Sequence, residues 1–404
     1  TAVGAQSLQV NTVGASNSGF GRYTLQNNTA DNNTAVGRSA LQENTTGTQN
    51  TAVGAYAGDA LTDADYNTAL GYAALTLDTL GSHSVAIGHD ALATQNFTSA
   101  TNSYNTAVGS QAGVAVTTGY NNTLVGGLSG DGITTGHSNT TLGVSSLGIN
   151  TTGIYNLALG ISALESNTTA SYNTAVGANA LDANTTASNN TAVGYASLGV
   201  NTTGTQNVAV GALALDALTD ADNNVALGYL SLSADTLGSR SVAVGSHALT
   251  AQNFTSATDT YNTAVGFFAG LAVTTGVQNT FVGGLAGDAV TSGSYNVATG
   301  YGALTAATTA VQNAAFGRLA LEDNTTGANN TAIGNHSLGN NTTAANNTAV
   351  GYFALGANTT GTFNVAVGTS AGIAVTTGQF NTFTGGQAGA ALTVGGENAA
   401  FGYN

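Results

Sequence analysis

The residues best placed to do chemistry in this chain are its carboxylates. Asp59, Asp63 and Asp65 stand close together and return as Asp216, Asp220 and Asp222. Three acids on one loop are the oxygen-rich set that a hard cation such as Ca²⁺ prefers. The plainer reading, and the one we take, is a solvated turn that keeps the protein soluble. A glycosidase needs two acids held across a cleft, and no feature of the sequence builds one. Of the five histidines, His83, His89, His137, His247 and His336, only the first two are near neighbours. They read as surface residues rather than metal ligands. Ser and Thr are abundant enough to make chance triads meaningless, and no Ser/His/Asp set recurs. We expect no enzyme, no bound metal and no cofactor.

Two other residue classes could bind rather than react. Rings recur at one position of the pattern, at Tyr66, Tyr104, Tyr155, Tyr172, Tyr261, Tyr295, Phe363 and Phe380. They could offer a stacking stripe for glycans, although a corner ladder sealing turns or subunit contacts is the simpler expectation. Threonine pairs such as Thr151-Thr152 and Thr202-Thr203 raise an ice-binding face. Equivalent positions hold Thr79-Leu80 and Asn96-Phe97, which would interrupt the flat array such a face needs.

The elements that must position these residues come from a narrow alphabet. The chain has 404 residues with 56 Gly, no Pro, Cys, Met or Trp, and 6% charged residues. Four Lys+Arg, all arginine, against 19 Asp+Glu leave a formal charge of −15. Nucleic acid and anionic membrane surfaces both need basic patches, so neither is an expected partner. No apolar run approaches the roughly 18 to 20 residues of a membrane helix, so membrane insertion is not expected. The chain starts at Thr1 and contains no Met, from which we expect a processed, secreted product.

The pentad Asn-Thr-Ala-Val-Gly organises the whole chain. Its closing glycine recurs from Gly4 to Gly402 through 23 intervals, of which 20 are 17 residues, one is 16 and two are 21. With no 3.6-residue periodicity and glycines at every repeat, the expected fold is all-β. It is a single parallel β-solenoid, or β-roll, of about 24 coils over residues 1–404, each coil holding two or three short strands. The residue before the glycine is apolar in 22 of 24 cases. This predicts an inward column including Val36, Val53, Leu70, Val108, Val193 and Val210. The opening Asn predicts a hydrogen-bonded ladder along the stack, including Asn33, Asn50, Asn67, Asn105, Asn190 and Asn207.

Four residues after the glycine stands Leu in 16 coils, Leu41 and Leu198 among them, or Gly in seven. Every glycine coil has an apolar residue three positions further on, where 14 of the 16 leucine coils have Asn, Asp or Gln. The two positions therefore fill one core volume in alternative ways. A longer period also appears, because residues 33 to 88 match 190 to 245 at an offset of 157, a superrepeat of nine coils. The longer coils, 88–109 and 245–266, should carry lateral bulges from which Phe97 and Phe254 project.

Ser84-Val85-Ala86-Ile87-Gly88 and Ser241-Val242-Ala243-Val244-Gly245 resemble the head repeats of trimeric autotransporter adhesins. The Asn-Thr-Ala-Ile-Gly tract from Asn330 to Gly334 resembles repeat arrays in bacterial tail-fibre-like proteins. The resemblance implies parallel β-rolls assembled as homotrimers outside the cell. The 17-residue coil is longer than the usual adhesin-head repeat, so trimerisation and anchoring are implied by the resemblance alone.

Together these readings predict an extracellular or cell-surface structural fibre that self-assembles end to end. A trimeric adhesin or tail-fibre-like protein binding surface glycans is the alternative, and ice binding a distant third. A stack of 24 coils at about 4.8 Å each would measure on the order of 110 Å.

Overall fold

The computed structural model describes residues 1–403, which contain no helix. The fold is a parallel β-solenoid of about 24 coils with a repeat of about 17 residues. The coils divide into two compact units, Thr1–Thr203 and the residues from Gly204 onward. In the first unit the sheet strands run from Ala2–Val3 to Thr191–Val193, and in the second from Val208–Val210 to Ala399–Phe401.

Each ordinary coil contributes one three-residue strand, the Thr-Ala-Val of the pentad, paired in parallel and in register with its neighbours. In the first unit Thr51, Ala52 and Val53 lie against Thr68, Ala69 and Leu70. In the second, Thr331, Ala332 and Ile333 lie against Thr348, Ala349 and Val350. The longer coils add a two-residue strand, pairing Gly81–Ser82 with Thr101–Asn102 and Gly238–Ser239 with Thr258–Asp259.

The strand corrects the expected inward column. Successive side chains of a strand point to opposite faces, and the buried residue is the alanine: Ala35, Ala52, Ala69, Ala107, Ala192 and Ala209 are almost wholly enclosed. Val36, Leu70 and Val210 lie 37%, 44% and 38% exposed, and Val53, Val108 and Val193 are half-buried. Asn33 and Val36 stand an odd number of residues apart, so one unbroken strand cannot turn both inward. The buried Asn decides the parity, and the Val column faces out. Leu41 and Leu198, from the other wall, are fully buried.

That other wall explains why the coil has fewer strands than expected. Two and four residues after the glycine the backbone is left-handed, with φ of 58° at Ser39 and 50° at Leu41, and again at Ala73 and Leu75. This conformation costs an L-residue roughly 1–2 kcal/mol. It is held by hydrogen bonds between coils: Ser39 N–H donates to the Arg22 carbonyl at 2.9 Å and Leu41 N–H to the Ala57 carbonyl at 3.0 Å. The pentad glycine is required for a different reason. Gly71 has φ of 142°, and a Cβ there would lie 2.3 Å from the carbonyl oxygen of Gly88.

The core is filled by the two coil types as a coupled set. Phe281 replaces the strand alanine and is fully buried. A Cβ on Gly270 would sit 3.0 Å from its ring and one on Gly287 2.5 Å from it. Gly372 and Gly389 flank Phe383 in the same way, and Gly113 and Gly130 flank Leu124. Pairs of glycine coils thus open the room that a bulky strand residue occupies.

Candidate functional surfaces

The interior is a hydrogen-bonding machine that runs coil to coil. Asn33 Oδ1 accepts the N–H of Asn50 at 2.9 Å, and Asn50 Oδ1 accepts that of Asn67 at 2.9 Å. The amides donate to turn carbonyls of the next coil, Asn50 to Ala64 at 2.7 Å, Asn105 to Gly119 at 2.7 Å and Asn207 to Ala221 at 2.7 Å. Asn190 N–H joins the same ladder through Asn173 Oδ1 at 2.9 Å. Each Asn therefore binds backbone above it, satisfying groups that would otherwise be orphaned in the core.

A second ladder runs through the polar residues three positions after the leucine of leucine coils, whose alternation with apolar residues marks a shared volume in the sequence but not its hydrogen bonding. Asn167 Nδ2 donates to Asn150 Oδ1 and Asn184 Nδ2 to Asn167 Oδ1, both at 2.9 Å. Such runs stop where a glycine coil puts an apolar residue in their path. Asn44 precedes Leu61 and Asn358 precedes Val375, and Oδ1 of both asparagines is buried without a partner. A third ladder uses the first hydroxyl of the threonine pairs. Thr134 Oγ1 donates to the Thr151 carbonyl at 3.0 Å and Thr151 Oγ1 to that of Thr168 at 3.1 Å. These hydroxyls serve the stack.

The acids do not form a shared site. Asp63 accepts from Thr46 Oγ1 at 2.5 Å, and Asp65 accepts Thr48 N–H at 2.6 Å, both from the preceding coil. Asp59 turns to Thr76 of the following one. Asp222 repeats the bond of Asp65, accepting Thr205 N–H at 2.6 Å, while Asp216 is half-buried and Asp220 exposed. Among the described residues no three His, Asp or Glu side chains gather as a metal would need.

The longer coils correct a second expectation. Phe97 and Phe254 are buried, at 5% and 7% exposure, and the bulge is made by Thr98, Ser99 and Ala100 and by Thr255, Ser256 and Ala257. The ring of Phe97 covers Gly81, where a Cβ would lie 2.7 Å from it. Here Ser84 replaces the ladder asparagine, and Gln95 reaches in to complete the network. Gln95 Nε2 donates to Asp78 at 2.5 Å and to Ser84 Oγ at 2.8 Å, while its Oε1 accepts from Asn105 at 2.8 Å. Asp235, Gln252, Ser241 and Asn262 repeat the arrangement.

Burial pushes the carboxyls of Asp78 and Asp235 above the usual range, against the hydrogen bonds from Gln95 and Gln252 that pull them down. Burial also raises Asp59, Asp131, Asp182 and Asp216. A carboxyl raised in the folded state stabilises the fold fully below its unfolded pKa, about 3.9, and loses that contribution as pH rises through the folded value. The thermal midpoint should therefore fall between pH 4 and pH 7, by less in an Asp78→Asn/Asp235→Asn variant. A midpoint that rises over this range would contradict the assignment.

The exposed rings form ladders of their own. Tyr66 stacks on His83 with centroids 4.9 Å apart, Tyr155 on Tyr172 at 5.3 Å and Phe363 on Phe380 at 5.2 Å. Stacking covers one face of each of these paired rings, whereas Tyr261 and Tyr295 in the same stripe stand half exposed. Two further exposed columns remain: the outer side of the sheet, with its threonines and valines, and the position after the pentad glycine, where Tyr72, Ile161, Tyr195 and Tyr352 stand exposed. No protein-family model matches this chain, and no curated protein is detectably similar to it.

Proposed function

We propose that the chain is an extracellular structural protein, a self-assembling β-solenoid that forms the shaft of a surface filament or fibre. The observation that carries this reading is the translational repeat of the ladders. The groups a coil offers upward, such as Asn33 Oδ1, are those the next coil's backbone takes, and that coil's Asn50 Oδ1 repeats the offer. A contact that repeats by translation is head-to-tail and does not close, so it extends as a filament. The polar chemistry inside the coils is committed to stacking, which supports a structural rather than a catalytic role. The resemblance to adhesin-head and tail-fibre-like repeats supports a place outside the cell.

Electron microscopy of the protein over a concentration series tests the reading. Filaments should lengthen with concentration, and a variant ending in an added polar capping coil should stay short. Single particles of unchanged length at every concentration would refute it.

A further inference from the structure

We infer that the outer face of the parallel sheet is a pairing surface for a second copy of this chain, docked sheet against sheet. The face consists of two columns, the first and third residues of each three-residue strand. Across all coils these positions hold only Thr, Ser, Val, Leu, Ile, Ala and Phe, with no charged residue, amide or histidine, in a chain of 19 acids. Many of the aliphatic and aromatic members are well exposed: Leu142 55%, Ile333 42%, Phe316 41% and Val367 40%. Contiguous apolar surface of more than a few hundred Å² marks a binding site. Twelve strands at about 4.8 Å, each about 10–15 Å wide with its side chains, present on the order of 500–800 Å² of uncharged face on each unit, about half of it the apolar third-residue column and the rest largely threonine.

Three arguments select the occupant. Copies carrying −15 repel one another, and on this face they can meet without bringing acids together. A side-chain ladder repeating at every strand is best matched by another sheet of the same period, whose rows can interdigitate over a spacing of about 10 Å. The area of one unit's face already approaches the roughly 800 Å² per partner of a stable interface.

The test is the mass in solution by light scattering, at concentrations below filament growth. The parent chain should be a dimer. A Leu70→Glu/Leu142→Glu variant should run as a single chain, its self-association weakened at least tenfold, with unchanged circular dichroism and thermal midpoint because both side chains are well exposed on the outer side of their strands and do not pair with each other. Asn189→Glu, at an exposed position just before a strand, should leave the dimer intact. A single-chain mass for the parent overturns the inference, as does a three-chain mass or a dimer that survives both glutamates. Thermal hysteresis in a monomeric parent, abolished by the same glutamates, would assign the face to ice instead. Filament growth is read separately, because the glutamate variant keeps its coil rims and should still extend lengthwise.

Discussion

Replacing Asn139 by leucine should destabilise its unit by about 2–6 kcal/mol. Asn139 Oδ1 accepts the N–H of Asn156 at 3.0 Å, and its amide donates to the Gly153 carbonyl at 2.9 Å. Leucine fills the space but strands both backbone groups in the core, at about 1–3 kcal/mol each. The neighbouring Thr140 points outward, so Thr140→Val should stay within about 0.5 kcal/mol. Denaturant unfolding, with hydrogen exchange at Asn156 as the local readout, measures both. Equal effects at the two positions would show that the ladder does not bear on stability.

The second large effect lies in the coupled core. Gly287→Leu should cost roughly 3 kcal/mol, because the new side chain meets the Phe281 ring, 2.5 Å from where its Cβ must lie. The backbone is not the obstacle: Gly287 has φ of 58°, and Leu304 at the equivalent place in the next coil has 57°. Phe281→Ala alone should cost about 3–5 kcal/mol by opening a cavity between the two glycine coils. The double variant approaches a leucine coil, with Ala in the strand and Leu opposite. Its cost should fall below the sum of the singles by about 2 kcal/mol, within the range seen for residues in contact. Additive costs would mean that the two positions do not share a volume.

How far the sequence could be read follows from what each residue type reveals. Period, coil count and the asparagine column were legible because Gly and Asn recur where the backbone needs them. The exchange between Leu41-type and Gly58-type coils was legible as a compensation, and Gly58 does sit against Leu61 and Leu41. Hydrophobicity misled on the valines. Ala35 fits the narrow interior and the β-branched Val36 suits the outer side of a strand, so parity with Asn33 was the better guide than apolarity. Phe97 was misread because an aromatic in an insertion suggests projection, whereas this one closes the gap over Gly81. The left-handed wall was signalled only by the glycines that replace leucine at one of its positions, such as Gly58 with φ of 57°. Ser39, Leu41, Ala73 and Tyr56 all adopt positive φ, residue types that carry no such preference. They are held there by bonds between coils rather than by local propensity.

In the proposed filament, coils continue from one chain to the next by the same translation that stacks them within a chain. Fibre diffraction from oriented, concentrated protein tests it most directly. Filaments many chains long should give a sharp reflection near 4.8 Å along the fibre axis. Material that stays monodisperse, or that orients with the strand spacing across the fibre axis, would contradict it.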